Sequence, residues 1–510
     1  MRVPGPGESL AGRGMKLRRY RVAAGAVLLL ALALRLATHV GIRTFEPVFT
    51  AHSAHEILEG RHEPQKHMPG AVNHARFGMT LPTALAAAVG GWNDAACTLW
   101  PLLCGMLTLA LALVLGPATF GPRASLAAGA LLAALPADVL WSTQLYSDVP
   151  MALFWSGAAF AFWRAIDLRC RYLALLAGFL VGLSWMLREP GPILLVVLLA
   201  WAAPSRAWRL WSFAAAAAAA VFLAECVYYI AAAGDPFYRL GIMTRGIHAR
   251  YMATEYYPTA GSVWSRVFLD LPSMMFNPWD PAFAYTAGLP ILAAGSALAM
   301  GRKGWADEPY RRLLLWAMIV FVAFAALPLS VFPFRPAMVL LVRTLVAFTV
   351  PLAFLAGSAL SRVRWGLPAA AAAALVGAAL TIGLAGPHRD AQAESRLALR
   401  VLDAVADPVI VTDDLFSANG HRANFIAFSR GFDPRVAVYS LKDADPSTRD
   451  GVYVLVNTLD LARTAPVYPP GRLDLVLAPP PSWERLYRKD FSAPGDPAGH
   501  HAAVYRVRSP

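Results

Sequence analysis

The chain is short of charge, of cysteine and of the glycine-rich loops that cradle nucleotides. Only 15% of its 510 residues are charged, while 57% are hydrophobic and mean hydropathy is +0.48. A soluble domain carries about 25% charged residues, so this balance excludes a soluble or disordered chain and requires a membrane. The four cysteines, Cys97, Cys104, Cys170 and Cys226, show no metal-type spacing. Neither a disulfide framework nor a cysteine metal centre is expected, and they read as buried apolar fillers. No Gly-rich strand-to-helix motif is present, which argues against a nucleotide-linked ligand. An inverted repeat with paired broken helices, the mark of many secondary transporters, is also missing.

What is there is a series of about eleven apolar runs, near 20–42, 93–116, 123–142, 149–166, 172–188, 190–204, 208–232, 284–300, 311–333, 337–360 and 366–385. Most reach the roughly 17–25 residues that cross hydrocarbon as helix; 190–204 is the weakest. The fold class expected is an α-helical polytopic membrane protein of about 11 transmembrane helices. With the N-terminus cytoplasmic, every inside segment is basic: Arg13, Lys16 and Arg18 first, then Arg123, Arg164 and Arg169, Arg206 and Arg209, Arg302 and Lys303, and Arg362 and Arg364. The net charge of +13 is therefore a topology signal and not a nucleic-acid footprint. The first run has no small-residue cleavage site at its outer end and is expected to stay as a span.

This divides the chain into a basic cytoplasmic segment 1–19, a transmembrane domain 20–385 with exterior loops 43–92 and 234–283, and an exterior domain 386–510. The last alternates β-type runs at 408–412, 436–440, 451–456, 473–477 and 502–506 with turn residues and one helical stretch near 417–429, and reads as small α/β. Alanine tracts at 214–220 and 369–374 permit close helix packing.

Carboxylates at the mouth of such a protein are solvated, paired or used in chemistry. Two stand out: Glu46, just outside the first span, and Asp148, in the short turn before the fourth. Their plain alternatives are a helix-entry charge for Glu46 and an N-cap for Asp148. Residues 51–60 predict an interfacial helix with His52, His55, Glu56 and Glu59 in water, and 79–89 a second one. The i,i+4 pairs His52/Glu56 and His55/Glu59 make His52, His55 and Glu56 weak metal candidates against a solvated face; no ligand quartet is spelled out and no cofactor is required. Exterior cations suited to a phosphate are Lys66, Arg76, Arg239, Arg245, Arg250, Arg335 and Arg343, since the guanidinium fork binds two oxygens. Tyr256 and Tyr257, with Arg245 and Arg250, suit a lid over a sugar donor. Arg343 has a snorkelling alternative. Arg35 and Glu225, inside spans, are expected to pair or to line a cavity.

The order of these pieces resembles a family. The acid Glu46, the helix Ala51 to Gly60, the second helix ending Gly91-Trp-Asn-Asp94 and the acid in Tyr146-Ser-Asp-Val-Pro150 are similar to GT-C glycosyltransferases, nearest the protein O-mannosyltransferases and lipid A aminoarabinose transferases. The likeness covers roughly 20–360 and extends to Phe120-Gly-Pro-Arg, Leu187-Arg-Glu-Pro190, Phe334-Arg-Pro, Arg343 and Val350-Pro-Leu. It implies a membrane enzyme that moves a sugar from a polyprenyl-phosphate donor to a lipid, glycan or protein acceptor, with Glu46 as catalytic base and Asp148 as the second site acid. The implied setting is the periplasmic face of a bacterial inner membrane. Pro47 after Glu46, and His74 to Pro82 in place of a double-proline motif, depart from the family on the acceptor side. A surface-polysaccharide ligase or polymerase, which also consumes a lipid-linked sugar, and a non-catalytic lipid or sugar carrier are the alternatives.

Overall fold

The computed structural model describes residues 10–42, 46–62, 75–245, 263–330, 335–336, 340–402, 405, 408–412, 421–433, 435–441, 445–448, 450–457, 471–493 and 496–508. Among the described residues the apolar runs fold mainly as helices. They are α1 (Leu10–Ala37), α4 (Asp94–Phe120), α5 (Pro122–Ala133) with α6 (Pro136–Ser142), α7 (Asp148–Leu168), α8 (Arg171–Leu187), α9 (Ile193–Ala202), α10 (Trp208–Ala233), α12 (Leu289–Ala306), α13 (Glu308–Ala326), α14 (Val346–Leu360) and α15 (Gly366–Arg400). Between them lie the shorter helices α2 (Glu46–Leu58), α3 (Phe77–Gly90) and α11 (Tyr238–Arg245). Seven described helices are long and apolar enough to cross a membrane, eight if the bent pair α5–α6 is one span. The chain is an integral membrane protein.

The expected single span 123–142 is broken by 57°. Pro136 opens the second half and Leu135 before it is extended, the conformation a following proline imposes. The carbonyls released by the break are satisfied from other helices: Arg35 Nη1 donates to Ala133 O at 3.5 Å and Thr381 Oγ1 to Ala134 O at 3.2 Å. In lipid such groups have no water to turn to. Arg35 also donates through Nε to Ser142 Oγ at 2.9 Å, so the intramembrane arginine is paired as expected.

The chain forms two compact units. One comprises Met1–His39, Arg76–Met79 and Trp100–Ala385; the other Val40–Ala75, Thr80–Leu99 and Gly386–Pro510. In the first, α8 and α10 pack through glycine: a Cβ on Gly178 would sit 1.9 Å from Ala214 O, and one on Gly182 2.5 Å from Val221 Cβ. This is the small-residue contact by which membrane helices approach.

The second unit holds a five-stranded sheet in the order β4-β3-β5-β7-β6, counting β1 (Pro328–Ser330) and β2 (Arg335–Pro336) as an earlier pair. Strand β3 (Val409–Thr412) runs parallel to β4 (Ala437–Ser440) and β5 (Tyr453–Asn457), whereas β7 (Asp496–Arg506) is antiparallel to β5 and to β6 (Glu484–Ala493). Val411, Val454, Val456 and Tyr505 fill its core. The strand expected at 473–477 is instead the helix α17 (Arg472–Leu477). Its N-cap Gly471 takes a left-handed φ of 82° and Asp474 lies in the first turn, where an acid favours the helix dipole. The strand β6 was not expected because Arg485, Arg488, Lys489 and Asp490 blur any alternation; an edge strand carries such charges to discourage further pairing. The expected helix near 417–429 is α16 (His421–Ser429).

Candidate functional site

Among the charge clusters described in the membrane unit, two are fed by one two-residue step, Arg188-Glu189. Arg188 ends α8 in extended backbone, φ −158° and ψ 148°. Successive side chains therefore leave on opposite sides.

Arg188 turns to Asp148. That carboxylate, 1% exposed, forms an ion pair with Arg188 through Oδ1 and stands 3.7 Å from Arg343 Nε through Oδ2. Both guanidiniums are buried. Within this trio one carboxylate answers two cations. The Arg343 guanidinium carbon lies 4.6 Å from the centre of the Tyr146 ring, and Trp141 meets Tyr146 edge to face at 5.4 Å. Asp148 is the first residue of α7, but the N-cap is Ser147 and no side chain caps the helix. The capping alternative is thus replaced by ion pairing. Arg343 does not snorkel: it sits in the 3-10 turn Val342–Leu345 that precedes α14, held by Asp148 and Tyr146.

Glu189 turns the other way. Arg76 grips it with two bonds, Nε to Oε1 at 3.3 Å and Nη2 to Oε2 at 3.0 Å. Arg239 donates Nη2 to Glu189 Oε1 and Nη1 to Glu225 Oε1, each at 3.1 Å. Trp185 Nε1 donates to Glu225, and the Arg239 guanidinium lies 4.6 Å from the Trp185 ring centre. Burial acts to raise the Glu189 carboxyl, but Arg76 and Arg239 outweigh it and hold it well below the usual carboxylate range. Burial likewise opposes the Arg239 charge, and Glu189 and Glu225 reverse this so that its pKa is raised. These four groups balance one another, an arrangement suited to bracing the C-terminal ends of α8 and α10. Arg76 and Arg239, both expected among phosphate cations, are engaged in this brace, and Glu225 is paired as expected.

The second unit carries Glu46. It opens α2, half-buried, and its backbone carbonyl accepts from Thr50 Oγ1 at 3.2 Å. In the same unit Asp94 Oδ1 accepts the Ile42 N–H at 3.0 Å. Gly41 lies against the same carboxylate: its φ is +85° and a Cβ there would stand 2.5 Å from Asp94 Oδ2. Further along α2, His55 and Glu56 are not in water as expected: their side chains are each 14% exposed. The covered face runs through Val48, Ala51 and Ala54 while Leu58 is 44% exposed, and Phe432 of the C-terminal segment stacks on His55 at 4.3 Å. His52 and Glu56 pair at 3.3 Å, His55 and Glu59 at 3.9 Å. Burial lowers the His55 pKa, with Glu59 opposing it. Among the described residues no group of three or more His, Cys, Asp or Glu side chains could hold a metal ion.

Arg250, Tyr256 and Tyr257 lie outside the described residues, as do Lys66 and the side chains of Arg245 and Arg335. Arg188 had no role assigned from sequence, although it stood in the Leu187-Arg-Glu-Pro190 run. A buried-prone apolar helix ending in two adjacent opposite charges was the available signal.

Residues 78–231 match the family model described as dolichyl-phosphate-mannose-protein mannosyltransferase. No curated protein sequence matches the chain. Among solved structures, the chain is similar to ArnT from Cupriavidus metallidurans in the apo state, with TM-score 0.63 and 15% identity over 96% of this chain and 98% of that one. ArnT bound to undecaprenyl phosphate gives 0.60 at 15% identity, covering 95% and 98%. The Archaeoglobus fulgidus oligosaccharyltransferase, in a complex with Zn and sulfate, gives 0.52 at 15% identity, covering 94% and 73%. At these identities the structural likenesses establish the fold.

Proposed function

We propose that this chain is a membrane glycosyltransferase of the GT-C type, akin to the protein mannosyltransferases and ArnT, and that it moves a sugar from a polyprenyl-phosphate donor to a hydroxyl acceptor on the exterior face of the membrane. The observation that carries this is the pair of buried arginines, Arg188 and Arg343, gathered on the single carboxylate of Asp148. A phosphate that leaves with full negative charge needs oriented cations, and electrostatic stabilisation of that kind is usually the largest catalytic contribution. Asp148 is already engaged by two guanidiniums, and its part is to hold Arg188 and Arg343 in place. Glu46 is the base. It takes the acceptor hydroxyl proton as the acceptor oxygen bonds the anomeric carbon and the bond from that carbon to the phosphate oxygen breaks, so that polyprenyl phosphate departs. The undecaprenyl phosphate of the ArnT complex is the kind of lipid this exit requires. The basic inside segments support an inner-membrane protein with its N-terminus in the cytoplasm and 386–510 in the periplasm.

The test is turnover by purified chain of undecaprenyl-phosphate-linked mannose and aminoarabinose, read as release of undecaprenyl phosphate, beside UDP- and GDP-sugars. Release from a lipid-linked sugar with no added nucleotide is expected. Turnover of nucleotide sugars alone would overturn the proposal. Reporter fusions after residues 70, 260 and 450 are expected outside and after 168, 305 and 363 inside; a cytoplasmic 450 fusion would remove the exterior-face assignment.

A further inference from the structure

The helix that begins at Glu46 is secured at two places within its own unit. Ahead of it, the Ile42 N–H is held by Asp94. Behind it, three rings meet: His55 stacks on Phe432 with centroids 4.3 Å apart and planes at 25°, His55 meets Trp92 at 5.3 Å, and Trp92 meets Phe432 at 5.0 Å and 83°. Trp92 and Asp94 belong to the same tight turn, which Asn93 fixes by accepting the Ala96 N–H at 2.9 Å and donating to Gly90 O at 2.7 Å. One turn thus grips the chain on both sides of Glu46.

Phe432 completes this grip from the C-terminal segment, and its backbone shows what holds it there. It has φ +56°, directly after Gly431 at +65°, a region that a residue with a side chain rarely adopts. The turn closes α16: Gly431 N–H donates to Phe428 O at 2.9 Å and Phe432 N–H to Ala427 O at 2.8 Å. Glycine is the common residue at such a helix end. A phenylalanine in that conformation is sustained when its surroundings over-determine it, and here the surroundings are His55 and Trp92.

We propose that Phe432 is a positioning residue for Glu46: the C-terminal domain acts as a clamp that holds the catalytic helix α2 against the Trp92 turn. It takes the role of Glu46 as base from the function proposed above. A base delivers its full effect only when held within reach of the proton, and α2 has no covalent constraint other than its two ends.

The experiment is hydrogen–deuterium exchange on the full-length chain in nanodiscs, comparing wild type, Phe432→Ala, Phe432→Gly and Phe432→Tyr. Faster exchange over 46–58 in the Ala and Gly variants, near-wild-type protection in Tyr, and unchanged protection at 453–457 in all three are expected. The glycine variant relieves the backbone and still loses the ring, so it separates the clamp from the turn. Unchanged exchange over 46–58 in Phe432→Ala overturns the clamp, and so does loss of protection at 453–457 together with 46–58. In the same samples, undecaprenyl phosphate release from the lipid-linked sugar should fall about 10–100-fold in kcat for Phe432→Ala, with donor KM little changed and Tyr restoring the rate. A loosened helix with unchanged kcat overturns the positioning role. If Glu46→Gln turns over normally while Phe432→Ala still loosens 46–58, the assignment of the base fails and the clamp stands.

Discussion

Arg343 Nε stands 3.7 Å from Asp148 Oδ2 while Arg188 pairs with the other oxygen of the same carboxylate. Asp148 comes from the start of α7, Arg188 from the end of α8 and Arg343 from the turn before α14, so one buried acid ties together three separate parts of the bundle. If the two cations hold the donor phosphate, Arg343→Ala should cut donor use by about 10²-fold or more, comparable to loss of one transition-state donor. Arg343→Lys should recover part of it, because an ammonium supplies charge without the fork. Binding of undecaprenyl phosphate to the purified variants measures this; full affinity in Arg343→Ala would remove the arginine from the phosphate site.

Glu46→Gln keeps shape and removes the proposed proton acceptor. Turnover should drop on the order of 10²–10⁴-fold, with the melting temperature and undecaprenyl phosphate affinity at wild-type values. Steady-state kinetics beside a thermal melt decide it.

Glu189→Gln leaves Arg76 and Arg239 without their shared carboxylate. Breaking a buried pair in this way costs about 3–5 kcal/mol, so strong destabilisation is expected. The pH dependence follows from linkage. The Glu189 pKa is lowered in the folded chain, so its contribution is fully present above the unfolded value of 4.5 and is lost as pH falls toward the folded one. Acid unfolding of the wild type should therefore be steeper below that value than that of Glu189→Gln, as measured by tryptophan fluorescence.

Histidine 55 gives the opposite flank. Burial lowers its pKa, so the unfolded chain binds more protons below pH about 6.5 and the stability of this contact should fall as pH drops through that value, levelling off below the folded pKa. His55→Gln should flatten the response of exchange over 46–58 between pH 7 and 5. An equal pH response in both would exclude His55 as its source.

Gly41→Ala meets two obstacles at once, a φ of +85° and an Asp94 oxygen 2.5 Å from the new Cβ. The left-handed backbone alone costs about 1–2 kcal/mol, and the Ile42 bond to Asp94 should be lost with it. Lower activity with faster exchange over 46–58 is the expected outcome; Asp94→Ala in the same background should add little, since the contact is already broken.

Where the chain is apolar, it was legible. Hydropathy is a local property, and the runs became mainly helical among the described residues because in lipid the backbone has almost no alternative. Glu46 and Asp148 stood out as candidates for the same reason, since an acid beside an apolar run is conspicuous. Partners were not. Arg188 and Glu189 are neighbours in sequence, and only the extended backbone at the end of α8 sends one to Asp148 and the other to Arg76 and Arg239. The break at Pro136 was masked by an unbroken apolar pattern on both sides. In the C-terminal domain, Arg472–Leu477 alternates like a strand, yet Gly471 and Asp474 start a helix, and charged Glu484–Ala493 becomes a strand through pairing with β7. His55, polar and next to acids, looked solvated until a ring some 370 residues away covered it. Hydropathy along the chain determined what enters the membrane, because burial in lipid is decided segment by segment; tertiary contacts alone decided which charges meet, because a pairing depends on the geometry of two distant segments together.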